Sequence, residues 1–134
     1  MDKVLIRFKS IAIVNDETEK IEYEVEADYI KDIDLSILTY DEPNIDGIDN
    51  RTKICFNEDE IMIERTGEHF NKMVFVKDGK SFGTFLIDQM KMNFDIKINE
   101  MLISQDKLVL DYNLVVGTDD VSQFKIEVKI KGEN

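Results

Sequence analysis

Apolar and polar residues alternate along much of the chain with a period of two. The clearest case runs from Ile21 to Tyr29, where every odd position is apolar and every even position is Glu or Asp. Successive side chains of a β-strand point to opposite faces, so this pattern predicts a strand with one apolar face and one acidic, solvated face. A helix would scatter the same acids around its circumference.

Other segments of strand length are rich in Ile, Val, Phe and Met and end at Gly, Asn, Asp or Ser. Such runs between turn residues are typical of strands and hairpins. They are predicted at Lys3–Val14, Ile33–Tyr40, Arg51–Phe56, Glu60–Gly67, Lys72–Val76, Ser81–Ile87, Met90–Ile98, Met101–Ile103, Lys107–Val116 and Phe124–Ile130. The segment Asp41–Asn50 contains the only proline and several Asp and Asn residues, which predicts a loop or a long hairpin connection.

These runs predict one all-β domain spanning residues 1–134. About ten strands in succession, joined mostly by short turns, favour a single antiparallel up-and-down barrel, because closure removes unpaired sheet edges. A sandwich of two sheets is the alternative. An exposed edge would also allow the chain to form a homodimer.

Composition restricts the class of protein. Hydrophobic residues make up 43% of the chain and charged residues 34%, which is typical of a soluble globular domain. No segment approaches the roughly 20 apolar residues needed to span a bilayer. The N-terminal run is interrupted by Arg7 and Lys9 and has no small-residue cleavage site, so we expect a cytoplasmic protein without membrane association.

The net charge is −12, with 29 acidic and 17 basic side chains, so nucleic acid is not an expected partner. One cysteine, Cys55, and one histidine, His69, do not suffice for an internal disulfide or a multi-His zinc site. In the acidic loop that starts at Glu42, the twelfth position is Lys53 where an EF-hand requires a bidentate Glu. No metal or cofactor is predicted.

Several short motifs are similar to those of the YwiB family of small bacterial calycin-like β-barrel proteins. They are Tyr40 with Glu42, Gly47, Thr52-Lys53-Ile54, Ile63-x-Arg65-x-Gly67, Met73-x-Phe75 and Leu110-x-Tyr112-x-Leu114. The chain departs from the family pattern at Phe85, where Tyr is usual, and at Met90, where Gly is usual. The family is a domain of unknown function, so the resemblance implies a calycin-like barrel and no activity.

Arg65 is the main candidate for a binding residue. It is in phase with Ile61 and Ile63 and should point to the apolar side of its strand, where a permanent charge needs a partner or solvent. Tyr112 lies on an apolar face as well, and Tyr40 and Glu42 are the other polar groups expected near Arg65. These residues could anchor the carboxylate or phosphate of a small ligand. The alternative is a structural ion pair or hydrogen-bond network that closes one end of the barrel.

His69 follows Gly67 in a predicted turn and belongs to no recognisable nucleophile motif. Cys55 lies between Ile54 and Phe56, which favours a small buried apolar residue over a reactive thiol.

The leading functional hypothesis is a non-enzymatic barrel that binds a small apolar or amphipathic ligand in its interior. A filled interior would favour the alternative, an acidic protein-interaction module whose surface takes a basic protein partner. The third hypothesis is an enzyme that uses Arg65, Tyr112 and His69.

Overall fold

The computed structural model describes residues 2–43, 47, 49–117 and 119–133. It contains ten β-strands and, within the described residues, no helix. The strands are β1 (Asp2–Val14), β2 (Glu17–Ile30), β3 (Ser36–Asp41), β4 (Asn50–Phe56), β5 (Glu60–Gly67), β6 (Phe70–Val76), β7 (Ser81–Ile87), β8 (Met90–Ile103), β9 (Lys107–Val116) and β10 (Asp119–Glu133).

All ten strands form one closed barrel. Each strand pairs antiparallel with its sequence neighbours, and β1 pairs with β10 to complete the ring. In that closing pair, Ile6 lies opposite Ile130 and Phe8 opposite Val128, so both strands turn an apolar face to the interior. The predicted all-β antiparallel barrel is confirmed, and the sandwich alternative is excluded.

Several predicted strand boundaries were wrong; β10, for example, begins at Asp119, five residues before the predicted Phe124. The run predicted from Ile33 begins only at Ser36, because Ile33 is 98% exposed and lies in the connection after β2. The runs predicted on either side of Asn99 are one strand, β8, whose register with β9 shifts between Ile98 and Glu100. This bulge inserts one extra residue, so that Ile98 and Met101 both pack against the core.

Buried side chains fill the middle of the barrel and one of its two ends. The contiguous core consists of Val4, Ile6, Ala27, Tyr29, Leu38, Tyr40, Ile54, Phe56, Ile61, Ile63, Met73, Phe75, Ile96, Leu108, Leu110, Tyr112, Leu114, Ile126 and Val128. We call the filled end, where the connections after β2, β4, β6 and β8 lie, the closed end. The opposite end carries the connections after β1, β3, β5, β7 and β9, and we call it the open end.

The acidic residues Glu22, Glu24, Glu26 and Asp28 of β2 face outwards, as predicted, and some of them lie beside cations of the neighbouring strands. Glu24 lies 3.2 Å from Arg7 and 3.3 Å from Lys131, while Asp28 lies 2.6 Å from Lys3. The acidic face of β2 is therefore partly neutralised by β1 and β10. Among the described residues, no helix is long and apolar enough to cross a membrane.

Candidate functional site

Arg65 and Glu42 form a bidentate ion pair on the inner wall near the open end. The Arg65 Nε donates to Glu42 Oε2 at 2.8 Å, and Nη2 donates to Oε1 at 2.7 Å. The Thr52 hydroxyl donates a third bond, of 2.6 Å, to Glu42 Oε2. The Glu42 side chain is 13% exposed and the Arg65 side chain 37% exposed, so the carboxylate is enclosed while part of the arginine faces the opening. Two parallel N–H···O bonds to a carboxylate fix the orientation of the guanidinium.

The strand register explains how these side chains meet. Tyr40 lies opposite Thr52, and Thr52 lies opposite Arg65, so the three residues form one row across β3, β4 and β5. Glu42 follows β3, and its backbone N–H donates to the Asn50 carbonyl at 2.9 Å, which extends the ladder beyond the strand. The side chain of Glu42 therefore points to the interior of the barrel, on the same face of the extended chain as Tyr40. We call positions with this orientation the inward phase of a strand. Residues 44–46 and 48 of the predicted loop lie outside the described part of the chain.

Two tyrosines continue this polar row towards β2. The hydroxyls of Tyr23 and Tyr40 are 2.9 Å apart, and Tyr40 is 2% exposed. Burial is the main cause that raises the pKa of Tyr40 to about 12. Burial, followed by the neighbouring Tyr40, also raises the pKa of Tyr23. Both hydroxyls therefore keep their protons at neutral pH and can donate hydrogen bonds.

Tyr112 does not join this group. Its hydroxyl donates to the Met73 sulfur at 3.4 Å, deep in the core, and burial raises its pKa. Its ring stacks on Phe124 at a centroid distance of 5.4 Å and meets Phe75 edge-on at 4.8 Å. Of the four predicted residues, the structure thus joins Arg65 and Glu42 directly, places Tyr40 in the same row, and separates Tyr112.

His69 lies at the rim of the open end and is held by Asn50. Its backbone N–H donates to Asn50 Oδ1 at 2.9 Å, and its ring Nδ1 lies 3.3 Å from Asn50 Nδ2. Within the described chain, Arg65, Tyr112 and His69 have different partners and form no hydrogen bond with one another. This arrangement gives no catalytic constellation of those three side chains.

Aromatic side chains surround the opening above the core. Five of them are only partly buried and pack on the core residues: Phe8, Tyr23, Phe85, Phe94 and Phe124. Phe8 stacks on Tyr23 at 4.9 Å, and Phe85 meets Phe94 edge-on at 5.3 Å. Further out, apolar residues in the inward phase of their strands remain 41–68% exposed: Val14, Ile21, Met90, Met92 and Val116. We call these ten side chains, together with the polar residues Glu42, Thr52, Arg65 and Asn71 at the same end, the mouth.

The mouth has an apolar side and a polar side. Phe85 and the residues of β8, β9, β10, β1 and β2 supply apolar surface. The polar side consists of Glu42, which follows β3, and of Thr52, Arg65 and Asn71 on β4, β5 and β6. A surface cleft of about 450 Å³ lies beside the apolar side; its lining includes Phe94 and Val116 of the mouth and the outward-phase residues Phe82, Thr84 and Asp95. Such an arrangement can accept a molecule that has both apolar and polar parts.

Comparison with known proteins identifies the family. The family described as "Domain of unknown function (DUF1934)" matches residues 6–128. The chain belongs to the DUF1934 family. The resemblance to the YwiB family seen in the sequence is confirmed by a match to the crystal structure of the ywiB protein from Bacillus subtilis, with a TM-score of 0.78. The match covers 99% of this chain and 93% of that one at 16% identity, which establishes the shared fold alone. No curated protein matches the DUF1934 chain in sequence.

Sequence reasoning on this DUF1934 protein missed Tyr23, Thr52 and the aromatic lining of the mouth. Thr52 shares the phase of Ile54 and Phe56, so an inward hydroxyl could have been noticed. Tyr23 lies in phase with Ile21 and Val25, but its meeting with Tyr40 depends on the pairing of β2 with β3. No local pattern in the sequence indicates where along the barrel axis the inward-facing residues stop belonging to the buried core and begin to line the mouth.

Proposed function

We propose that this DUF1934 protein is a non-enzymatic barrel that binds a small amphipathic molecule at the mouth. The observation that supports this most strongly is that inward-phase apolar residues of the mouth remain exposed, although the same phase is buried elsewhere in the barrel. Met92 is 42% exposed, whereas Ile96, two inward positions further along β8, is 8% exposed. A ligand would remove this apolar surface from water, at roughly 25 cal/mol for each Å² buried.

The site lies at the mouth because the core occupies the middle of the barrel. Tyr112 and Tyr40 are each 2% exposed and support the half-buried rings of Phe124 and Tyr23 from below. In the proposed complex these two tyrosines form the floor of the site and do not touch solvent. The apolar part of the ligand lies on the aromatic rings above them.

The polar part of the ligand would face Arg65 and Glu42. The pair is fixed by two mutual hydrogen bonds and by Thr52, so it offers oriented polar atoms without having to rearrange. The partial exposure of Arg65 brings its guanidinium within reach of a molecule seated in the mouth. The ion pair thus serves both the stability of the barrel and the orientation of the ligand.

Binding of N-phenylnaphthylamine, an uncharged apolar fluorescent probe, tests this proposal. We expect saturable fluorescence enhancement with the native protein and a clear loss of affinity with Met92→Gln. The matched control is Leu102→Gln, because Leu102 is 45% exposed on the same strand but outside the mouth. Equal binding by both variants, or no binding by the native protein, would contradict the proposal.

The filled middle of the barrel favours the protein-interaction alternative, but the acidic surface that this role needs is partly neutralised within the molecule. Its motivation was the acidic outer surface, yet Glu24 and Asp28 already lie beside basic side chains of the same molecule. A pull-down at low and at high salt tests it, and that role fails if no partner is retained at either.

A further inference from the structure

The distribution of charge around the open end indicates which kind of amphipathic molecule fits the mouth. The five connections at that end are residues 15–16, 42–49, 68–69, 88–89 and 117–118, and their sequence contains no lysine or arginine. The connections at the closed end do contain lysines, namely Lys31, Lys77 and Lys80. Each set of connections also contains six acidic residues, so the open end is the more negative of the two.

Acidic side chains border the mouth on several strands. The five that we call the acidic rim are all exposed and form no ion pair with a described residue: Asp16, Glu17, Glu19, Glu68 and Asp88. Glu17 and Glu19 continue the inward phase of Ile21 and Tyr23 along β2, which sets them directly above the apolar lining.

The basic side chains near the mouth are either ion-paired or point outwards from their strands. Arg65 is neutralised by its bidentate pairing with Glu42. Lys80 lines the cleft that includes Phe94 and Val116, and its Nζ lies 3.7 Å from Asp95. Lys20 lies opposite Ile11 and Lys91 opposite Leu86, and both lysines are in the outward phase of their strands. The described side chains of the mouth therefore carry no uncompensated cation, while the acidic rim carries uncompensated anions.

We infer that the ligand of the mouth is a cationic amphiphile, whose apolar part lies on the aromatic rings and whose positively charged head group lies at the acidic rim. This inference rests on the proposed function and adds the charge of the ligand to it. At moderate salt the Debye length is roughly 10 Å, so a head group at the opening is attracted by the rim charges that lie within that distance. The faces of Phe8, Tyr23 and Phe85 also attract a cation through their quadrupoles.

Three amphiphiles with the same decyl tail separate the charge from the apolar contact. Decyltrimethylammonium, decyl sulfate and decyl maltoside are titrated below their micelle concentrations into isotopically labelled protein, and amide chemical shifts of the mouth strands are followed. We expect the ammonium compound to bind roughly tenfold more tightly than the maltoside, the sulfate to bind more weakly than either, and the preference to shrink as salt is added.

A variant in which four of the five rim acids are neutralised tests the origin of the preference. Asp16→Asn, Glu17→Gln, Glu19→Gln and Asp88→Asn are combined, since asparagine tolerates the positive φ of residues 16 and 88. The matched control removes four exposed acids near the closed end: Asp34→Asn, Glu58→Gln, Glu60→Gln and Asp78→Asn. The rim variant should bind the ammonium compound roughly five to ten times more weakly, whereas the control should lose less than about twofold.

The outcomes distinguish failure of the charge preference from failure of the site itself. Binding of the maltoside or the sulfate at least as tight as that of the ammonium compound would overturn the cationic preference and leave the amphiphile site in place. Equal losses in the rim variant and the control variant would also overturn it, because a general charge effect would then account for the affinity. If none of the three compounds shifts the mouth resonances, both the site and its charge preference fail.

Discussion

Arg65 and Glu42 are joined by two hydrogen bonds of 2.8 and 2.7 Å, although 23 positions separate them along the chain. The pair ties the connection after β3 to β5 and forms the polar side of the mouth. It also explains how a permanently charged residue is accommodated on the inner face of a barrel.

Disruption of this ion pair should destabilise the barrel. Glu42→Gln and Arg65→Met each remove one partner and leave the other without its ionic contact, which should cost roughly 1–3 kcal/mol of unfolding free energy in this partly exposed setting. The double variant should lose less than the sum of the two single losses. Urea denaturation of the four proteins measures this coupling, and additive losses would show that the pair contributes nothing beyond its individual side chains. Arg65→Lys is the control for charge alone, because lysine cannot form the bidentate contact.

Gly67 should not tolerate a side chain. Its φ is +121°, and a Cβ at this position would lie 2.3 Å from the carbonyl oxygen of Asp49. Gly67→Ala should therefore cost more than about 2 kcal/mol, since both backbone strain and a backbone clash oppose it. Gly117→Ala is the comparison without a clash, because Gly117 also has a positive φ, of +65°, but no described atom lies within 4 Å of a new Cβ. Thermal unfolding midpoints should fall further for Gly67→Ala than for Gly117→Ala, and the reverse order would contradict the clash.

Buried tyrosines should make the protein unstable at high pH. Burial raises the pKa of Tyr112 and raises that of Tyr40 to about 12, above the value of about 10 expected for an unfolded chain. The unfolded state therefore loses these protons first, so the stabilisation is complete below pH 10 and is lost as the pH rises towards the folded-state pKa. Each such tyrosine should contribute a loss of roughly 1.4 kcal/mol per pH unit in that window.

Tyr112→Phe provides the matched comparison for this alkaline effect. The variant removes only the weak bond to the Met73 sulfur, so its stability at neutral pH should change by less than about 1 kcal/mol. Its unfolding free energy should fall less steeply above pH 10 than that of the native protein. Parallel curves would show that Tyr112 does not take part in the alkaline transition.

The bulge in β8 should make one position tolerant of deletion. Asn99 is the extra residue between Ile98 and Glu100, and its removal would give β8 an unbroken alternation with the same residues facing the core. We expect the deletion to cost about 1–2 kcal/mol, because the Asn99 amide also donates to Asp111 and Asn113. Circular dichroism and proton NMR should show a folded barrel.

Deletion of Glu127 is the control for the bulge. In β10 the register around Glu127 is regular, so the deletion would turn the following apolar residues, Val128 and Ile130, to the outside. This variant should fail to fold. If the two deletions had equal effects on folding, the bulge would not be the feature that keeps the later apolar residues of β8 on the inward face.

The sequence alone determined the fold class and most strand positions. Three predicted runs, Glu60–Gly67, Ser81–Ile87 and Lys107–Val116, coincide with β5, β7 and β9. The alternation of apolar and polar residues predicts these strands correctly because the apolar residues are the ones that become buried. Burial of one face is the physical requirement for a strand in a barrel. The same alternation gave a wrong result at Asn99. The extra residue of the bulge interrupts the period of two there, so one strand was predicted as two.

Only the tertiary structure decided which inward residues meet and which of them are covered. The inward phase of Arg65 was predictable, but its pairing with Glu42 and the separation of Tyr112 depend on register across β3 to β5 and on height along the barrel axis. Likewise, Met92 and Ile96 share one phase of β8, yet only Ile96 is covered by other side chains. A local pattern specifies the direction of a side chain, whereas coverage depends on contacts from strands that are distant in the sequence.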